Sequence, residues 1–98
     1  MSKNHGSASN GTEAARRGLW RLMLKLPAIR GELQVLVARS GRLNDLLEAY
    51  EEANATLERF LRDRGRNDCP LIAEYETVCA EIESDIVRYV VDTMKTHD

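Results

Sequence analysis

Two apolar stripes of seven-residue period, separated by a short polar turn, constrain this chain more than any other feature. Leu43, Leu46, Tyr50, Ala53, Leu57 and Phe60 recur at alternating steps of three and four, and Leu47 and Leu61 widen the series. Ile72, Tyr75, Cys79, Ile82, Ile86 and Tyr89 repeat the pattern, broadened by Leu71, Val78, Val90 and Met94. That period gathers apolar side chains on one face of an α-helix, whereas a strand needs alternation. Between the stripes lies Arg64-Gly65-Arg66-Asn67-Asp68. Gly65 suits a left-handed helix C-cap, and Pro70 suits the first turn of the next helix, with Asp68 or Cys69 as its cap. Helices over 41–64 and 70–95, joined by so short a turn, are expected to lie as antiparallel neighbours.

Upstream, Thr12 is a candidate N-cap with Glu13 in the first turn. Ala15, Leu19, Leu22, Met23 and Leu26 follow at helical spacing, while Arg17, Arg21 and Lys25 mark a second, basic face. Pro27 disfavours helical geometry at Leu26, so a kink or break is expected there. The pattern resumes with Ile29, Leu33, Leu36 and Val37.

Ser40-Gly41 supports two readings. Ser40 can cap a new helix, and Gly41 is a poor interior residue. Yet counting back by sevens from Leu43 reaches Leu36 and Ile29, so the apolar phase crosses the glycine without a slip. A break gives helices over 13–39, 41–64 and 70–95 and a three-helix bundle. Continuity leaves an uncovered stripe and demands a dimeric helical bundle. Either way the fold class is all-α: an antiparallel helical hairpin with an additional basic N-terminal helix. It forms a single domain over 13–98 behind a polar tail, 1–12, expected to be disordered because it is rich in Ser, Asn and Gly. A chain of 98 residues buries a thin core, and small helical proteins often complete theirs by pairing. A homodimer is therefore expected, associating in coiled-coil fashion; Leu43, Leu46, Tyr50, Leu57, Phe60, Tyr75, Ile82, Ile86 and Tyr89 form either the self-association surface or the core stripe.

The net charge of −2 hides a split. Residues 1–42 carry eight Lys or Arg against two acids; residues 43–98 carry six against fourteen. A basic arm on an acidic body neutralises either itself or a partner. Its cations surround one tryptophan, which makes Arg16, Arg17, Trp20, Arg21, Lys25 and Arg30 the candidate partner-binding set. Four destinations fit: the acids of the other two helices, an external acidic protein, nucleic acid or an anionic membrane surface. Against nucleic acid stand a pI of 5.7 and the lack of helix-turn-helix spacing.

No constellation for catalysis, cofactor binding or metal ligation is expected. Cys69 and Cys79 are not a C-x-x-C pair, and His5 and His97 lie near opposite ends of the sequence. Cys79 falls on the apolar stripe, where a cysteine behaves as a core residue. No Glu-x-x-His occurs among the acids, and Ser84 has no candidate base on its own helix. Glu48, Glu51, Glu52, Glu81, Glu83 and Asp85 fall mostly outside the stripes and are expected on solvated faces. No apolar run approaches the ~18 residues of a membrane span. The polar stretch from Met1 to Thr12 is no secretory signal, and two cysteines are no disulfide framework, so a cytoplasmic location is expected.

From Leu33 to Val90 the chain resembles the small bacterial helical-hairpin proteins of the YdcH-like type. The features that carry this are the polar cap Ala38-Arg39-Ser40-Gly41-Arg42, the stripe Leu43-Asn44-Asp45-Leu46-Leu47-Glu48-Ala49-Tyr50 and the acidic segment Ala80-Glu81-Ile82-Glu83-Ser84-Asp85-Ile86. The chain departs in having Leu43 where an aromatic residue is common, and in its basic segment of about forty residues. The resemblance implies a bacterial helical hairpin and no enzymatic activity. The functional expectation is a small non-enzymatic protein-interaction module, adaptor or regulator, that self-associates through its apolar stripes. The alternative is a nucleic-acid-associated regulator binding through the basic helix.

Overall fold

The structure, a computed structural model, describes residues 12–63 and 70–96. The polar tail up to residue 11, the turn around Gly65, Cys69 and both histidines lie outside the described residues. Four α-helices account for nearly all the rest: α1 (Glu13–Lys25), α2 (Arg30–Val37), α3 (Gly41–Arg62) and α4 (Pro70–Thr96). Among the described residues there is no strand.

Each boundary has a local chemical cause. The Oγ1 of Thr12 accepts a hydrogen bond from the Ala15 amide at 3.1 Å, satisfying one orphan donor of the first turn. Leu26, before Pro27, leaves helical geometry at φ −127°, ψ 70°. The chain then makes a single 3₁₀ turn, Pro27–Ile29, with Pro27 at its start, where no amide is needed. At Ser40 the backbone is extended, and the Ser40 Oγ accepts from the Leu43 amide at 3.0 Å. The break there is sealed from below by Asn44, whose Nδ2 donates to the carbonyls of Val37 and Ser40, both at 2.9 Å.

α3 packs against both α1 and α4. Three contacts tie α3 and its cap residue Ser40 to α4: Ser40 Oγ with Tyr89 Oη at 2.7 Å, Tyr50 Oη donating to Glu83 at 3.1 Å, and Phe60 edge-on to Tyr75 with ring centroids 5.6 Å apart. Their order along α4 is the reverse of that along α3. α1 crosses α3 closely at Gly18, where a Cβ would collide with the Leu47 carbonyl oxygen.

The core draws on every helix. Ala15, Leu22 and Met23 of α1, Leu33 and Leu36 of α2, Leu43, Leu47 and Tyr50 of α3, and Ile86 and Val90 of α4 form one buried cluster. It sits where α1 and α2 cover the Ser40 end of the α3–α4 pair. Towards the other end of that pair the apolar residues are only partly covered: Leu57, Phe60, Ile72 and Tyr75 are half-buried, and Leu61 and Leu71 are exposed.

Candidate functional site

The basic helix divides its cations between two faces. Arg21 points inward. Its Nε pairs with Glu51, and its two terminal nitrogens hold both oxygens of Glu58, at 2.8 and 3.1 Å. The fork of a guanidinium fits this double task; an ammonium would not. Glu51 is only 7% exposed, a carboxylate that only a charged, hydrogen-bonded partner makes tolerable. Lys25, one turn further on, reaches Glu83 of α4 at 2.8 Å, on the oxygen that also accepts from Tyr50. Thr12 completes the strap by donating to Glu48 at 3.0 Å. α1 is thus fixed along its length to acids of α3 and α4.

The electrostatics follow from these contacts. The hydrogen bonds that Arg21 donates to Glu58 and then to Glu51 hold its guanidinium firmly protonated. The reciprocal bond from Arg21 lowers the Glu58 carboxyl below its ordinary range. Burial, and then the charge of Glu83, push the Tyr50 phenol up to about 12. Burial likewise raises the Cys79 thiol, which favours the unreactive form. Each carboxylate in this cluster is engaged by a cation or a hydroxyl, an arrangement suited to holding helices together. Among the described residues no three His, Cys, Asp or Glu side chains gather where they could hold a metal ion. No described helix is long and apolar enough to cross a membrane.

The outer face of α1 has a different character. Trp20 and Leu24, four residues apart and so adjacent on the helix surface, are 62% and 76% exposed. Arg16 and Arg17 lie beside them on the same face and are exposed. Arg17 makes one loose contact with Glu13, at 3.5 Å within the helix. Arg30, at the start of α2, is exposed as well. Of the six residues read from sequence as partner-binding, Arg16, Arg17, Trp20 and Arg30 face solvent, whereas Arg21 and Lys25 hold acids of their own chain.

The nine residues of the two stripes also separate. Leu43, Tyr50 and Ile86 are fully inside the chain's own core. Leu46, Leu57, Phe60, Tyr75, Ile82 and Tyr89 are half-buried. The expectation that the acids lie on solvated faces fails at Glu51, because Arg21 draws that carboxylate into the α1–α3 contact. Sequence reasoning also passed over Leu24, Gly18 and Asn44. A glycine in mid-helix, costing about 1 kcal/mol relative to alanine, was the available sign of a close crossing at Gly18. For Asn44, four residues after a candidate cap, no sign distinguished it from a surface polar residue.

A second open surface runs along α4. Ala73, Thr77, Ala80 and Ser84 floor a shallow trough of about 570 Å³ with Glu76, Glu81, Asp85 and Arg88 around it. No protein-family model, curated protein or solved structure matches the chain.

Proposed function

We propose that this chain is a small non-enzymatic protein-interaction module, an adaptor or regulator built on the antiparallel α3–α4 hairpin with the basic α1 strapped across it. The observation that carries this reading is the exposed pair Trp20 and Leu24 between Arg16 and Arg17. A tryptophan and a leucine left uncovered by an otherwise well-packed helix mark a surface that meets another molecule. The flanking arginines select an acidic apolar surface, such as an acidic amphipathic helix, and speed its approach. Arg21 and Lys25, held by Glu51, Glu58 and Glu83, keep α1 oriented with Trp20 outward. Self-association belongs to the same reading. Because Leu43, Tyr50 and Ile86 serve the internal core, it falls to faces that the chain leaves open.

The nucleic-acid reading loses two of its six positions, since the cations of Arg21 and Lys25 are already neutralised. The test is capture from host lysate, with and without nuclease, by the wild-type chain and by Trp20→Ser/Leu24→Ser. The expected result is a discrete acidic protein that survives nuclease and is lost with the double variant, whose helical circular dichroism is unchanged. Capture that is indifferent to the substitutions would overturn the α1 surface, and capture abolished by nuclease would move the function to nucleic acid.

A further inference from the structure

α4 carries a second heptad series on the side away from α3. Ala73, Thr77, Ala80, Ser84, Val87, Val91 and Met94 follow one another at steps of four and three. All are exposed except Val87, which is half-buried. The side chains are small in the first half and large in the second. Beside this seam stand Glu74, Glu81, Arg88 and Lys95, spaced by sevens and all exposed, acids in the first half and bases in the second.

We infer that this face of α4 pairs antiparallel with the same face of α4 in a second copy of the chain, about a two-fold axis passing between Asp85 and Ile86. The inference rests on the reading of the chain as a self-associating module and names the surface and the register. In that register Thr77 meets the partner's Met94, Ala80 meets the partner's Val91, and Ser84 meets the partner's Val87. Each of these three layers therefore sets a small side chain against a large one, which fills space evenly and lets the helices approach. The same register brings Glu74 beside the partner's Lys95 and Glu81 beside the partner's Arg88, twice each by symmetry.

Size and charge are independent properties of the sequence, yet they select one alignment. Parallel pairing would set Ala80 on the partner's Ala80 and Met94 on the partner's Met94, and would bring Glu76 towards the partner's Glu81. A two-fold pairing also closes on itself and leaves no repeat of the surface open for growth. At each end of the seam, Met94 adjoins a groove of about 210 Å³ between α2 and α4 that is lined in part by Val35, and this prolongs the apolar strip. Within its own helix Arg88 makes an exposed contact with Asp85 at 3.8 Å.

Sedimentation of the full chain tests this. The wild type is expected to be dimeric at about 100 µM, and Glu81→Arg and Arg88→Glu are each expected to weaken the dimer by about tenfold or more. Mixing these two variants should restore a dimer. It would be a heterodimer, because the first variant carries only arginine at positions 81 and 88 and the second carries only glutamate there. Ala80→Arg, which puts a charge into the seam, should also give monomers. Unchanged helical circular dichroism in all three variants excludes unfolding as the cause. A monomeric wild type would overturn both this pairing and the self-association reading. A dimer indifferent to all three substitutions, or single variants whose mixture stays monomeric, would overturn the α4 pairing and leave self-association to another face.

Discussion

Gly18 of α1 lies against the carbonyl of Leu47 in α3 so closely that a methyl group on Gly18 would overlap the carbonyl oxygen. In an open helix, Gly→Ala stabilises by about 1 kcal/mol. Here the obstacle is backbone, which cannot turn aside as a side chain would. Gly18→Ala is therefore expected to push α1 off α3 and to cost about 1–3 kcal/mol net. Urea denaturation measures it, and a stability at or above wild type would mean that α1 does not sit on Leu47.

Arg21 and Arg17 share a helix and a charge but should differ sharply on removal. Arg21→Met leaves the nearly buried Glu51 carboxylate without its partner, an expected loss of about 3 kcal/mol. Adding Glu51→Met should return part of that loss, because the unpaired charge then disappears. Arg17→Met removes only an exposed contact at 3.5 Å and should stay within about 0.5 kcal/mol of wild type. Melting curves of the three variants decide this, and equal losses for Arg21→Met and Arg17→Met would contradict the inward placement of Arg21.

Tyr50 predicts an alkaline limb in the stability profile. Its phenol is pushed from its ordinary 10 up to about 12, so the folded chain holds that proton more tightly than the unfolded chain does. The stability this supplies is complete below pH 10 and drains away as pH rises towards 12. Tyr50→Phe should flatten the decline over that window even though it forfeits the bond to Glu83. Glu58 acts in the opposite sense: its lowered carboxyl stabilises above its ordinary value, and this is lost as pH falls through the lowered one. Denaturation midpoints across both windows check the signs.

Ile82 and Ile86 are equivalent in the heptad pattern and unequal in the fold. Ile86 is wholly buried, so Ile86→Ala should cost about 2–5 kcal/mol. Ile82 is half-buried, and Ile82→Ala should cost clearly less. Chemical denaturation of the pair would show the difference, and identical losses would mean that Ile82 is covered in solution, by a partner or by another helix.

The stripe residues explain how far sequence reasoning reaches. Periodicity identifies a helix and its apolar face because both depend on neighbours three and four residues away, and the caps at Thr12 and Ser40 are equally local. It cannot say which part of a stripe is covered, because that depends on where α1 and α2 end. Glu51 was unreadable for a related reason: its environment is made by Arg21, thirty residues earlier and on another helix. The outer seam of α4 escaped because alanine, serine and threonine do not stand out as hydrophobic. Only their placement on an uncovered face gives them meaning.

The hydrogen bond between Ser40 and Tyr89 joins residues 49 positions apart. Ser40 marks the corner between α2 and α3, and the apolar phase of the sequence runs through that corner without interruption. During synthesis, at about 5–20 residues per second, the first three helices leave the ribosome seconds before Ile86, Tyr89 and Val90 follow. In that interval the core lacks Ile86 and Val90, Tyr50 lacks the carboxylate of Glu83, and the Ser40 corner lacks the tyrosine that fastens it. Until α4 follows, the nascent chain holds apolar surface open to water, the condition under which incompletely folded chains aggregate.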